Sequence, residues 1–445
     1  MIKITFIGAG STVFAKNILG DSMLTPALQD SHIALYDIDS ARLEESRMMV
    51  ENLNTSVNGG RCTVTAHLGV ENRKEALRDA TFVVNAIQVG GYEPCTVTDF
   101  EIPRKYGLRQ TIADTLGIGG IFRGLRTIPV MVSFAREMEE VCPNALLLNY
   151  TNPMAMVTGA VLKATSVPTV GLCHSVQSCV PDLLKSLGMQ EYTADAKWKI
   201  AGINHMAWLL ELSHHGSDIY PEVRKRAFEK NDKAVAGSTE NHHDMVRYEV
   251  MRHFGYYVTE SSEHSAEYTP YWIKAGYPEL IDRYNIPLDE YPRRCVRQIE
   301  GWAERKDDVV NNKSLSHTRS HEYGSFIMDA VVTGVPTRIH GNVRNNGAIP
   351  NLPDNAVVEV ACLVDRNKVQ PTVVGPLPTQ CMALNMTNIN VQLLTIEAAL
   401  EGSRELLYQA AYLDPHTAAE LPLSKIREMC DEMIGAHGDF LPRLS

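Results

Sequence analysis

Apolar residues in the first half of the chain come in short unbroken runs rather than in strict alternation. Lys3 to Gly8, His32 to Tyr36, Cys62 to Leu68, Thr81 to Gln88, Ala145 to Tyr150 and Thr169 to Cys173 are such runs, and their length and β-branched content predict strands. Between them, Ala41 to Leu53, Arg73 to Ala80 and Thr127 to Val141 place apolar residues on one helical face. A strand that is apolar on both faces needs cover on both, and helices alternating with strands provide it. The pattern predicts an α/β fold with a Rossmann-like, doubly wound parallel sheet.

From about Trp198 the alternation gives way to mixed segments. These are an apolar strand ending in Leu212, a charged helix around Pro221 to Lys230, a polar surface loop at Arg305 to His317, and a long amphipathic helix near Asn390 to Leu413. They predict a mixed α+β second domain packed on the first, with residues 1–197 and 198–445 as the two units of a 445-residue chain.

Composition narrows the class. With 44% hydrophobic and 21% charged residues the chain is of ordinary folded type. A net charge of −11 gives no global basic field, so neither nucleic acid nor a membrane surface is an expected partner. No uninterrupted apolar stretch reaches about 20 residues, and MIKITFIGAG lacks the layout of a signal peptide, so a cytoplasmic protein is expected. The nine cysteines are scattered without CxxC pairs and read as reduced thiols.

Two regions carry candidate chemistry. Gly8-Ala9-Gly10-Ser11 follows the first strand and opens a helix: Gly8 permits the tight turn, Gly10 lets backbone approach a pyrophosphate, and Ser11 sits at the helix start. Val13 stands where a third glycine is usual, so the motif is incomplete. At the end of the next strand Asp37 is placed to hold ribose hydroxyls and favour NAD over NADP, while Asp39 is the alternative or a helix cap. Asn85 opens a flexible stretch suited to the nicotinamide half. Further on, Asn149 to Pro153, Cys173-His174-Ser175 and Asn204-His205 stand at or beyond strand ends, where open α/β sheets place ligands. A thiolate and an imidazole there suit a divalent transition metal, or else a packed thiol beside a surface histidine.

Taken together, these stretches resemble glycoside hydrolase family 4 over essentially the whole chain. The resemblance rests on Ile7 to Ser11, Asp114-Thr115-Leu116-Gly117-Ile118-Gly119-Gly120, Asn152-Pro153, Cys173-His174-Ser175, Gly202-Ile203-Asn204-His205 and Glu260-Ser261-Ser262-Glu263-His264. It implies a lactate/malate dehydrogenase-like fold and an NAD- and Mn²⁺-dependent glycosidase, an exception to the two-carboxylate scheme. The implied route is oxidation at sugar C3, proton removal at C2, elimination, water addition and re-reduction. It implies Cys173 and His205 as metal ligands and Tyr268 as the base, with Tyr271 as a near competitor. It implies His174 as the acid, with Asp114 in reserve, since phosphosugar members carry an aspartate where this chain has His174. Asn152 is assigned to substrate hydroxyls, Arg294 to substrate and Asn149 to the cofactor, and a homodimer or homotetramer is implied.

The same phosphosugar members place an arginine shortly after the paired glycines of the fourth strand to hold a dianionic phosphate. Here Gly90-Gly91 is followed by Glu93 and Cys95, which points to unphosphorylated α-galactosides such as melibiose unless Arg104, Arg123 or Arg294 fills the space. Alternatives are α-glucoside or α-glucuronide and α-galacturonide specificity, a lactate or malate dehydrogenase-like oxidoreductase, and a non-catalytic nucleotide sensor.

Overall fold

The computed structural model describes residues 1–445. Its first six strands are β1 (Lys3–Ile7), β2 (His32–Asp37), β3 (Thr63–Leu68), β4 (Phe82–Asn85), β5 (Leu146–Asn149) and β6 (Thr169–Gly171). They run parallel in the order β3-β2-β1-β4-β5-β6. That order reverses direction between β1 and β4, which opens a crevice at their carboxyl ends. β1, β4, β5 and β6 are buried throughout, as unbroken apolar runs require, whereas β3 at the edge alternates toward solvent.

The sheet does not stop there. β7 (Ala196–Ile203), β8 (Met206–His214), β9 (Ser217–Asp218), β10 (Tyr257–Val258), β11 (Thr337–Arg344), β12 (Val357–Asp365) and β13 (Lys368–Pro371) extend it to 13 strands. β11 lies antiparallel to β6 through Asn342 and Gly171, and β12 meets β7 through Glu359 and Gly202. Position 197 falls inside β7, so the two halves share one sheet. This continuity brings the end of β6 close to the end of β7, where Cys173 and His205 stand.

Three sequence expectations are corrected. The helix expected from Thr127 starts at Gly117, because Gly117, Gly119, Gly120 and Gly124 hide it from propensity reasoning. Glycine is required there: a Cβ on Gly119 would stand 2.7 Å from the Ala113 carbonyl oxygen, and one on Gly120 would stand 2.6 Å from the Thr115 carbonyl carbon. The loop expected from Arg305 begins as helix, Glu290–Val310, whose only buried residues are Cys295 and Val310. Its apolar residues, Cys295, Val296, Ile299 and Trp302, do recur at helical spacing, but they precede the charged run from Arg305 on which the loop expectation rested. The long helix expected near Asn390 to Leu413 is two, Thr379–Glu401 and Arg404–Leu413, separated by Gly402 at φ +67°.

The Gly117–Val141 helix is apolar and long enough to cross a membrane by composition, yet it serves as the core of this molecule, with 83% of its most apolar stretch buried. Inside it Arg126 donates to both Asp99 oxygens at 3.1 and 2.6 Å and to the Val89 carbonyl at 3.1 Å, while His437 Nε2 lies 2.9 Å from Asp99 Oδ1. This buried group ties the C-terminal helix, Leu423–His437, to the loop that follows β4.

Behind the junction of β6, β7 and β12, Glu359 has no solvent, and burial pushes its carboxyl up to about 8 although Asn342 donates to it at 3.2 Å. The folded chain holds this proton, whereas an ordinary glutamate releases it near 4.5. Folding stability contributed by Glu359 is therefore present below about 4.5 and is lost as pH rises through about 8. Urea unfolding of the metal-chelated protein across that window is expected to show a fall of up to a few kcal/mol, flattened in Glu359→Gln.

Candidate active site

At the crevice, Gly8 turns the chain at φ +82°, and a Cβ there would stand 2.8 Å from the Ala86 carbonyl carbon. Gly10 donates its N–H to Asp37 Oδ2 at 2.7 Å, so the acidic residue of β2 latches the glycine turn. Asp39 accepts from the amides of Ala41 and Arg42 and caps the Ser40–Asn58 helix, the second of the two roles considered for it. Ser11 stands exposed at the start of the Thr12–Met23 helix, directly after the glycine turn. The β1 and β6 ends are three strand spacings apart, about 14 Å.

Beyond β6, Cys173 Sγ lies 3.4 Å from His205 Nε2 and 3.9 Å from Glu260 Oε2, and His205 Nε2 lies 3.5 Å from the same Glu260 oxygen. Three donors at these separations form one face of a coordination shell. His205 at φ +61° and Glu260 at φ +66° both sit in left-handed backbone, a conformation that costs a non-glycine residue of order 1 kcal/mol and aims both side chains at Cys173. Burial drives His205 down to about 4, leaving the neutral imidazole a metal needs. Burial, with Glu260 and Glu359 nearby, pushes the Cys173 thiol well above its usual range. A divalent cation reverses that preference, because it favours the thiolate. The donor set, its spacing and its surplus of negative charge therefore fit a divalent ion.

Around this face lies a buried polar shell. Glu267 accepts from the amides of Thr111, Ile112 and Ala113 at 2.9, 3.2 and 2.9 Å, which fixes the loop carrying Asp114. Asp114 accepts from Thr115 Oγ1 at 2.8 Å and from Asn152 Nδ2 at 2.9 Å. His264 stands 3.8 Å from Asp114 Oδ1 and 3.9 Å from Glu260 Oε1. Burial opposes its charge, but Asp114 and Glu260 outweigh burial and lift His264 to about 9, so it is a buried cation at neutral pH. Tyr268 is 1% exposed, with its hydroxyl 3.1 Å from His205 Nδ1.

The structure brings Cys173, His205, Tyr268, Asp114 and Asn152 into this cluster and places Gly8, Gly10, Ser11 and Asp37 together at the glycine turn. Of the two tyrosines considered, Tyr268 lies in the cluster, whereas Tyr271 is 46% exposed and packs on Phe254. Several assignments are corrected. Asn85 and Asn149 are fully buried and bonded to each other at 2.7 Å, and Asn149 also bonds to Thr151 and Thr158. They tie strand ends together and present no side chain to a cofactor. Asp114 makes a poor acid: burial raises its carboxyl, but His264 and Arg123 outweigh that and hold it well below the usual range, ionised. His174 is not among these corrections: it lies at the rim with its side chain 69% exposed, 3.8 Å from Glu322. Arg294 is engaged by Glu263 at 2.5 Å and Glu290 at 3.1 Å rather than free for substrate. Cys95 lines nothing, being fully buried behind Gly90.

Glu260, His264 and Glu267 escaped assignment of a role. The spacing of Glu260 and His264 on either side of a helix start was the available signal, but a left-handed Glu260 cannot be read from sequence.

Comparison with known proteins places this geometry. Residues 3–189 match the Family 4 glycosyl hydrolase domain, and residues 200–417 match the Family 4 glycosyl hydrolase C-terminal domain. An α-galactosidase of Bacillus subtilis (strain 168) is 60% identical over 442 residues, covering 99% of both chains. A 6-phospho-α-glucosidase from gut microorganisms, solved in complex with NAD and Mn²⁺, superposes with a TM-score of 0.79 at 22% identity over 100% of both chains. Malate dehydrogenase from Plasmodium falciparum in complex with NADH superposes with a TM-score of 0.50 at 14% identity, covering 90% of this chain and 99% of that one. That likeness in fold agrees with the Rossmann-like, lactate/malate dehydrogenase-like sheet, and the matches across both halves show that the chain belongs to family 4 of the glycosyl hydrolases.

Proposed function

We propose that the protein is an NAD- and Mn²⁺-dependent α-galactosidase acting on unphosphorylated α-galactosides such as melibiose. The observation that carries this reading is the Cys173, His205 and Glu260 donor face with the Tyr268 hydroxyl behind it, on the same sheet edge as the glycine turn. The 60% identical Bacillus subtilis α-galactosidase supports the substrate, and the relative solved with NAD and Mn²⁺ supports the cofactors.

When bound, NAD would supply a hydride acceptor and the divalent ion a Lewis acid. Cys173, His205 and Glu260 would hold that ion. His205 Nδ1 stands 3.1 Å from the Tyr268 oxygen, and in the tautomer that carries the proton on Nδ1 its donation there stabilises the phenolate. Burial and the charges of Asp114 and Glu267 push the Tyr268 hydroxyl well above its usual range, so this donation is what lets it take the sugar C2 proton. Asp114 fixes the Asn152 amide, whose oxygen is left to orient a sugar hydroxyl. His174, at the mouth, gives a proton to the leaving oxygen.

Two of the three cations considered have carboxylate partners already. Arg104 pairs with Asp289 at 2.8 Å, Arg294 with Glu263 and Glu290, and Arg123 is buried against the Tyr291 hydroxyl at 3.1 Å. A 6-phosphate would find Arg104 and Arg294 already paired and Arg123 buried, which favours the unphosphorylated sugar. We assign residues 1–197 to the cofactor and 198–445 to the substrate side and to assembly as a homodimer or homotetramer.

Release of galactose from melibiose is expected to require Mn²⁺ and NAD⁺ and to exceed in kcat/KM the release from a galactoside 6-phosphate; preference for the phosphate overturns the substrate reading. Cys173→Ser and His205→Ala are each expected to lower kcat at least ~10³-fold, since a Lewis acid contributes several kcal/mol, while NAD⁺ titration is unchanged. Turnover in D₂O is expected to place deuterium at C2 of the released galactose, with Tyr268→Phe abolishing both turnover and label. Unlabelled product from the intact enzyme argues for direct displacement instead.

A further inference from the structure

Strand β8 starts one residue after His205 and ends at His214, roughly 30 Å away by the rise of an extended chain. It turns into β9 through His215 and Gly216, at φ +48° and +83°, with His214 paired to Ser217. Two successive positive φ angles in a two-residue hairpin loop are the type I′ geometry, whose first position ordinarily goes to Asn, Asp or Gly. This chain has histidine there. Histidine enters the left-handed region, but without the side-chain-to-backbone bond that makes Asn and Asp the usual choices. Its ring faces a ligand set instead.

The His215 ring lies 4.0 Å from the His214 ring, centroid to centroid, and its Nε2 lies 3.7 Å from Asp195 Oδ2. Tyr192 packs edge-on against His214 at 4.9 Å. One donor atom from each of Asp195, His214 and His215 falls within 4.8 Å of the other two. We propose that these three residues form a second metal site, for a borderline divalent transition ion of the Zn²⁺ type. Donors around such an ion stand roughly 3.4 Å apart in a tetrahedron, so small rotations of exposed side chains close the set. The His215 and Asp195 side chains, 69% and 63% exposed, are free to make them. Two imidazoles with one carboxylate follow the affinity order in which Mn²⁺ is weakest and Zn²⁺, Ni²⁺ and Cu²⁺ are strong. The site clamps the Gln190–Asp195 segment, just before β7, to the tip of the hairpin.

Zn²⁺ titration of the full chain carrying Cys173→Ser, which breaks the other ligand set, isolates this site. The expected result is one Zn²⁺ per chain, undisturbed by millimolar Mn²⁺, with affinity at least tenfold weaker once His214→Ala and His215→Ala are added. Asp195→Asn is expected to cost several-fold, and His253→Ala, at an exposed histidine elsewhere, nothing. Bound Cu²⁺ is expected to show EPR coupling to two imidazole nitrogens that disappears in the double-alanine chain. Unchanged Zn²⁺ affinity without both histidines, or a loss that follows His253 instead, overturns the proposal; turnover plays no part in the readout.

Discussion

A carboxylate sealed from water must find donors, and Glu267 finds three in succession on the backbone of Thr111, Ile112 and Ala113. Burial pushes this carboxyl up to about 7, and its three backbone bonds give the loop they hold one strongly preferred path. Asp114 is set by that path. Asn152 and His264 are then set by Asp114, and His205 and Glu260 pack on His264. Glu267 belongs to the later half of the chain and the loop to the earlier half. The candidate active site is thus assembled across the molecule by one buried acceptor.

The charges in this cluster are interdependent rather than a sum of pairs. His264 carries its proton because Asp114 and Glu260 flank it, and Asp114 stays ionised because His264 and Arg123 face it. His205, only 4.6 Å from His264 between ring centroids, stays neutral. Two histidines in van der Waals contact thus hold opposite protonation states, one fit to bind a cation and one already a cation. Local partners, not average burial, make the difference, since both are 5% exposed.

What was legible in the sequence was whatever local chemistry dictates. A glycine turn after a strand, with an aspartate at the end of the next, needs no tertiary knowledge to interpret, and the turn forms at Gly8 with Gly10 bonded to Asp37. The strands of the first half were legible because a fully buried parallel strand cannot avoid an apolar run. Asn85 and Asn149 misled because position at a strand end says nothing about whether a side chain points outward or ties two strands together. The helix from Gly117 was masked because its glycines answer to neighbouring backbone, not to helix propensity. Glu260 and His264 lie on a segment whose backbone twist only the folded context specifies.

The Asp99, Arg126 and His437 cluster bears on how the chain is made. His437 stands 338 positions after its partner and ends the last long helix, Leu423–His437. During synthesis, Asp99 and Arg126 are present while the imidazole that completes their buried set is still to be added. β6 likewise waits for Asn342 of β11 before its outer edge is covered. Domains generally fold as units while chains are being made from the N-terminus. Here the first Rossmann-like strands can pair early, but the core around Arg126 closes only when almost the entire chain has left the ribosome. A nascent chain halted before His437 is an incomplete fold, not a smaller finished one.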